Sequence, residues 1–466
     1  MNHSAPSAGK PRTWGRILGW INQERETSME ATEPQYSTAT KLTRISELSR
    51  SNPNLKFECL MHHFNKECLM ASFNMLDGKK AVGANGVSKE EYGMKLEERL
   101  EDLLARMKRM AYRPGPVRQV LIPKEGKSGA TRPLGISNFE DKLVQSVTKQ
   151  ILESIYDPIF LNCSYGFRPG RGCHDAIKDL RDYLFRNDTE TVIDVDLANF
   201  FGTIDHKNLE GFLREKISDE RFIRYLIRMF KAGVLSEGEL TYSDEGVPQG
   251  SCCSPILANV MAHHVIDRWF EETVKQHCRG RAAMFRYADD LVICCNNASD
   301  APRIKRALAQ RLSKYKLRVN EDKTKLVPFS KVKLRQGIKQ GTFDFLGFTF
   351  YLRQSKAGQI IPQVRTSGKR LRAKLKNVNQ WVKGIRNLRR TKEIWQTFCR
   401  KLQGHIAYYG VTFNLHSVNA FTFLATRIIF KWLNRRSQRR SFSWERFQKF
   451  LTNYPLPKVK VYVPLY

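Results

Sequence analysis

Two adjacent aspartates, Asp289 and Asp290, stand between apolar runs at 284–287 and 291–295. The pattern predicts a strand, a tight hairpin turn and a second strand. Aspartate is a good turn residue, so a purely structural role accounts for many such pairs. Two neighbouring charges flanked by buried strands are costly, however, unless something compensates them, and a divalent cation does so. Asp196 lies upstream, near the end of residues 191–197, where Ile193, Val195 and Leu197 alternate with Val192, Asp194 and Asp196. If these strands are neighbours, Asp196 and Asp289 can hold Mg²⁺ between them, because carboxylate oxygens are the hard ligands it prefers. Two such ions about 3.5–4 Å apart stabilise the attacking and leaving oxygens of an in-line phosphoryl transfer. Asp194 shares the face of Asp196 and reads either as a supporting residue or as a solvated or structural one.

The elements that would carry these residues alternate without a βαβ rhythm, which favours an α+β fold over a doubly wound sheet. Leu96, Leu100, Leu103, Leu104 and Met107 have amphipathic helical spacing, which Tyr112-Arg113-Pro114-Gly115-Pro116 ends. Val117 to Pro123 reads as a strand, and Leu143, Val147, Ile151 and Ile155 mark another helix. Residues 1–56 are rich in Ser, Thr, Pro and Ala and read as a poorly ordered extension, apart from a short helix around Trp14 to Ile21.

The chain of 466 residues carries 79 Lys and Arg against 46 Asp and Glu, a formal charge of +33. Such an excess points to a polyanionic partner, nucleic acid first and an anionic membrane surface second. The excess is uneven, since residues 351–466 hold 25 Lys and Arg, two Glu and no Asp. A boundary is therefore expected near 351, with ordered domains at 57–350 and 351–466. Trp381, Trp395, Tyr408, Tyr409, Trp432 and Trp444 interleave with the basic residues, as RNA binding requires when phosphates meet cations and unpaired bases stack on rings. Phe421, Leu424, Ile428 and Leu433 show that the same helices have a core of their own. Arg435, Arg436, Arg439 and Arg440 are harder to explain by packing and are the candidate RNA contacts. No apolar run is long enough to span a membrane. The ten Cys include no Cys-x-x-Cys, which argues against a zinc ribbon and for reduced thiols. His62–His63 and His263–His264 read as ordinary helix residues.

Asp196 with its strand and Tyr287-Ala288-Asp289-Asp290 with its hairpin resemble motifs A and C of reverse transcriptases. The likeness extends along residues 40–466. Ser164-Tyr165-Gly166-Phe167-Arg168-Pro169-Gly170-Arg171 is similar to a signature of group II intron reverse transcriptases. Pro248-Gln249-Gly250-Ser251, with Leu257-Ala258-Asn259, resembles motif B. Asn320-Glu321-Asp322-Lys323-Thr324-Lys325 resembles motif D, and Phe345-Leu346-Gly347-Phe348 the primer-grip motif E. Gly404-His405-Ile406-Ala407-Tyr408-Tyr409-Gly410 and the segment from Lys431 to Gln438 look like the maturase domain. Where this family usually has Asp, Gly202 and Asn85 stand here. Ala198 and Asn199 replace a usual basic residue and Gly, and Cys252 or Cys253 a usual Gly.

The resemblance implies a right-hand polymerase of fingers and palm, with an antiparallel sheet, followed by a helical thumb and maturase domain. It implies catalysis by Asp196, Asp289 and Asp290, with two Mg²⁺ ions held by Asp196 and Asp289. Lys124 and Arg132 would neutralise the triphosphate of a dNTP. One of Phe200 and Phe201 would pack beneath the sugar and exclude a 2′-hydroxyl while the other joins the core. Gln249 would contact nucleotide or template, and Lys323 would protonate the leaving pyrophosphate, touch a phosphate or lie on the surface. The implied partners are the parent group II intron RNA, an RNA template with its DNA primer, and dNTPs, in the bacterial cytoplasm and without a membrane. With no further Cys/His cluster, DNA cleavage is not expected. Alternatives are a domesticated relative in phage defence, spacer acquisition or repair, and a maturase that only binds RNA.

Overall fold

The computed structural model describes residues 33–123, 131–236, 239–247, 250–436 and 443–465. It is α+β, with three sheets among the described residues. The first contains β1 (Val117–Pro123) and β2 (Thr131–Ile136) as an antiparallel hairpin, extended through β4 (Val234–Ser236) to β5 (Glu239–Thr241). The second has the order β6-β7-β3-β8, with β3 at Thr191–Asp196, β6 at Ala282–Tyr287, β7 at Asp290–Cys295 and β8 at Lys325–Pro328. All its pairings are antiparallel. The third joins β9 (Phe343–Phe345), β10 (Phe348–Gln354) and β11 (Ile360–Thr366).

The period of two along β3 divides its side chains between two cores. Ile193, Val195 and Leu197 enter a large core built on the long Phe139–Tyr156 helix and the helices at 206–214, 220–230 and 254–262. Val192 enters a second core on the opposite face, with Phe285, Val292, Cys294 and Val327 of the same sheet. That core is completed by Phe343, Phe345, Phe348 and Phe350 of the third sheet and by the C-terminal helices Gly368–Ile385, Thr391–Tyr409 and Leu415–Leu433. Asp194 and Asp196 lie on this second face, at the edge where the palm sheet meets the third sheet.

Three expectations need correction. Part of the stretch expected to be poorly ordered, Glu33–Ser51, is a helix. Its apolar residues are few but spaced to one side: Ile45 is buried, Leu42 and Leu48 pack beside it, and Ser49 Oγ donates to the Ile155 carbonyl at 2.6 Å. A single narrow stripe is enough when a long buried helix receives it. The expected short helix at 14–21 lies outside the described residues. The boundary near 351 marks a change of charge and not of packing, since Tyr351 falls inside β10 and one core spans both sides of it. The C-terminal helices begin at Gly368. Leu424 faces solvent, and Ala425 and Ile429 take the core positions of its helix.

Candidate active site and the basic helices

β6 and β7 are joined by the two-residue loop Ala288–Asp289, with Tyr287 and Asp290 paired across its base. Asp290 in turn stands directly opposite Asp196 on β3. Directly opposed residues of an antiparallel pair project to the same face. Register alone therefore brings two of the three carboxylates together and puts Asp289 at the adjoining hairpin tip.

The electrostatics agree with that proximity. Surrounding protein atoms, then the charges of Asp289 and Asp196, push the Asp290 carboxyl up to about 6, although the side chain keeps solvent access. Burial, followed by Asp290 and Asp344, raises Asp194 to about 7. Lys323 Nζ lies 2.5 Å from Asp196 Oδ2. Its loop is tied to the end of β3, for Asn320 N donates to the Asp196 carbonyl and Asp196 N to Thr324 Oγ1.

These residues fit Mg²⁺. The donors are carboxylate oxygens, and their mutual repulsion is relieved by a cation. Among the described residues no group of three or more His, Cys, Asp or Glu side chains stands in a metal-holding arrangement.

The segment after β3 separates the two phenylalanines. Phe200 is a core residue at 2% exposure, whereas Phe201 is half-buried and meets it edge to face, with ring centroids 5.9 Å apart. Asn199 has φ +47°, a conformation that Asn tolerates better than most residues. A Cβ at Gly202 would lie 2.4 Å from Asn199 Nδ2 and 2.8 Å from its Oδ1. A side chain at 202 would require the exposed Asn199 amide to move aside.

Beneath the hairpin lies a polar network that sequence reasoning missed. Arg286 is fully buried and donates to Asp267 Oδ1 at 2.7 Å and Oδ2 at 2.5 Å, to Asn259 Oδ1 at 3.0 Å and to Ser164 Oγ at 2.7 Å. It also donates to the carbonyl of Ala288, in the loop itself, at 3.1 Å. Asn259 Nδ2 donates to the Gly166 carbonyl at 2.7 Å. A Cβ at Gly166 would come within 2.5 Å of Ala288 N, so only glycine lets this backbone lie against the loop. Three sequence segments, 164–171, 257–259 and 286–290, are in this way locked to one another. An Arg within a strand that otherwise buries apolar residues was the available signal.

Arg132 is exposed on β2, paired in register with Ile122. Lys124, Gln249, Arg439 and Arg440 lie outside the described residues. Arg435 is exposed with its guanidinium 5.5 Å from the Trp432 ring centre. Arg436 is held internally, donating to Thr391 Oγ1 at 2.5 Å and to the Arg389 carbonyl at 3.1 Å. Of the aromatics, Trp395, Tyr409 and Trp432 are buried, Trp381 and Tyr408 are half-buried and Trp444 is exposed. Tyr408 Oη donates to the Leu346 carbonyl at 2.7 Å, so the Thr391–Tyr409 helix clamps the β9–β10 turn. His63 is buried with its pKa lowered to about 4, and His263 and His264 likewise to about 3, chiefly by burial. No helix among the described residues is long and apolar enough to cross a membrane.

Residues 122–350 match the family described as reverse transcriptase (RNA-dependent DNA polymerase). The group II intron-encoded protein LtrA of Lactococcus lactis is 33% identical over 229 residues, covering 49% of this chain and 38% of that protein. A protein in the cob intron of Schizosaccharomyces pombe is 34% identical over 237 residues, 50% of this chain and 28% of that protein. The chain thus spans well under half of either relative. Protein YkfC of Escherichia coli is 30% identical over 358 residues, 68% of this chain and 91% of YkfC. With the aspartates in register and the matched residues running through both motifs, the chain belongs to the reverse transcriptase family.

Proposed function

We propose that the protein is an RNA-directed DNA polymerase that also binds its parent group II intron RNA and aids its splicing and mobility. The observation that carries the first half is the pairing of Asp196 with Asp290 beside Asp289. In this reading a primer 3′-hydroxyl attacks the α-phosphate of a dNTP and pyrophosphate leaves. Asp196 and Asp289 would hold two Mg²⁺ ions, which would supply electrostatic stabilisation of the charge that develops in phosphoryl transfer. Phe201, the more accessible of the two rings, takes the place beneath the sugar, and Phe200 supports it from the core. Lys323, its Nζ bonded to Asp196, protonates the leaving pyrophosphate or touches a phosphate. Arg132 and Lys124 extend the phosphate site from the β1–β2 hairpin, and Gln249 contacts nucleotide or template. The basic C-terminal helices bind template–primer and intron RNA, and the aid to splicing is electrostatic and structural. Such an enzyme works where its intron is transcribed, in the bacterial cytoplasm. Primer extension on poly(rA)/oligo(dT) with Mg²⁺ tests the reading. Synthesis by the native chain and none by Asp289→Asn is expected, and equal synthesis by both refutes it.

A further inference from the structure

Among the segments locked around the aspartate hairpin, the loop from Ser164 to Arg171 carries one large side chain that the polar network leaves unused. Ser164 bridges Arg286 in parallel with β6. Arg286 N donates to the Cys163 carbonyl at 2.7 Å, and Tyr165 N to the Arg286 carbonyl at 2.9 Å. Gly166 then lies against Ala288. Phe167 comes next, beside the loop that carries Asp289, with its ring centre 6.3 Å from that of Tyr287.

Two observations set Phe167 apart. It is 46% exposed, so its ring is not spent on the core. Its φ is +57°, in the left-handed region that a bulky side chain rarely adopts. The same loop uses glycine at its other left-handed position, Gly170 at φ +71°. Nor is the backbone slack. The largely buried Arg168 donates to Asp157 Oδ1 at 2.7 Å and to the Leu161 and Ser164 carbonyls at 3.0 Å each. Arg171 donates to the Asn162 carbonyl at 2.8 Å and the Ser164 carbonyl at 3.0 Å. Strain that neighbours enforce in this way clusters at functional sites.

Sheet order says what the ring faces. Lys323 bonds Asp196 on β3, and β7 separates β3 from β6, which the Phe167 loop flanks. In an in-line phosphoryl transfer the attacking and leaving oxygens stand on opposite sides of the phosphorus. With pyrophosphate leaving toward Lys323, the attacking primer end comes from the side of β6 and Phe167.

We propose that Phe167 is a positioning residue for the primer: its ring packs against the sugar edges of the last base pair of the template–primer hybrid and holds the 3′-hydroxyl before Asp289. The inference deepens the polymerase reading and rests on it. An A-form hybrid closes its deep major groove to side chains and displays sugars across a wide, shallow minor groove. A flat apolar ring suits that surface, and contact with sugars is indifferent to sequence.

The test uses the full chain with Mg²⁺ and poly(rA)/oligo(dT). Phe167→Gly removes the ring and the strain, Phe167→Asn removes the ring with a residue that tolerates the left-handed region, and Phe167→Tyr keeps the ring. Release of the hybrid is timed against a heparin trap, and addition of one ddTMP is followed in a single turnover across a ddTTP series. Native and Phe167→Tyr chains should hold the hybrid alike. The Gly and Asn variants should release it about tenfold faster, the worth of partly burying one large apolar side chain. They should also add ddTMP more slowly at saturating ddTTP. The ddTTP concentration for half-maximal rate should not move, because the triphosphate lies across the hairpin. The salt slope of hybrid affinity should not move either, because no phosphate contact is lost. Phe167→Gly should melt no lower than the native chain. Native rates of release and addition in both ring-less variants would overturn the primer contact and leave the polymerase standing. A lowered melting temperature in both, or a change confined to half-maximal ddTTP, would overturn it equally. A native chain that adds no ddTMP would overturn the polymerase reading and the primer contact with it.

Discussion

The carboxylate edge of the palm sheet and the basic C-terminal helices are built in opposite ways. At the palm edge strand register brings Asp196 and Asp290 together beside the hairpin tip that carries Asp289, and a shift of one residue would turn Asp196 to the opposite face. Its function is concentrated, and a rigid buried network behind the hairpin holds it. In the C-terminal helices the charge is spread over many exposed residues, while half the conspicuous aromatics serve the core. Concentrated sites fail all at once, whereas distributed ones fail by degrees and in proportion to salt.

The sharpest way to break this contrast is to remove one carboxylate. Asp196→Asn or Asp289→Asn should lower primer extension by about a thousandfold or more, since each removes a charged ligand worth several kcal/mol in the transition state. Filter binding of intron RNA by the same variants should be unchanged. A parallel loss of RNA affinity would show that the two regions share one site.

The next effect concerns the network behind the hairpin. Arg286→Met leaves Asp267 buried without its cation and should cost about 3–5 kcal/mol in denaturant unfolding. Adding Asp267→Leu should restore much of that stability, because a well-packed apolar pair often replaces a buried ion pair at no loss. Synthesis should stay low in the double variant, since the Ala288 carbonyl still lacks its donor. Full recovery of synthesis with stability would reduce Arg286 to a packing residue.

The two phenylalanines should separate by readout. Phe200→Ala empties core space and should cost about 3–5 kcal/mol. Phe201→Ala should leave the fold close to native and raise ribonucleotide incorporation relative to dNTP. An unchanged dNTP/NTP ratio for Phe201→Ala would put the sugar gate elsewhere.

A smaller effect follows from pH. Asp290 is raised above its ordinary value, so its charged form is the disfavoured one and is lost as pH falls through about 6. The Mg²⁺ concentration giving half-maximal synthesis should therefore climb below about pH 6. Because Mg²⁺ at Asp196 and Asp289 would offset the charges that raise Asp290, the midpoint should move lower as Mg²⁺ is raised. A flat Mg²⁺ requirement between pH 5 and 7 would contradict the clustering of these charges.

The smallest effect belongs to the basic helices. Arg435→Gln should reduce the slope of log affinity against log salt for single-stranded RNA by about 0.7, the share of one phosphate. Arg436→Gln should act through stability instead, since its guanidinium bonds Thr391 and Arg389. Equal slope changes for both would mean that Arg436 leaves its internal bonds to meet RNA.

Much was readable from local pattern. The strand at 117–123, the alternation along 191–196, the hairpin around Asp289 and the helix at 96–107 all appear where period and turn chemistry put them. These are properties of neighbours in sequence, set by side-chain direction along a strand or helix. The helix at 33–51 escaped because its stripe is narrow and its support, the Phe139–Tyr156 helix, is about a hundred residues away. Position 351 misled because charge reports on the surface, whereas a core joins residues regardless of the charges outside it. Residue type and spacing were enough to nominate Asp196, Asp289 and Asp290, since metal chemistry demands carboxylates and strands with turns leave few places for them. Which phenylalanine is accessible and what holds the hairpin from beneath depend on atoms distant in the chain. Such contacts are settled by packing in three dimensions, which no local period encodes.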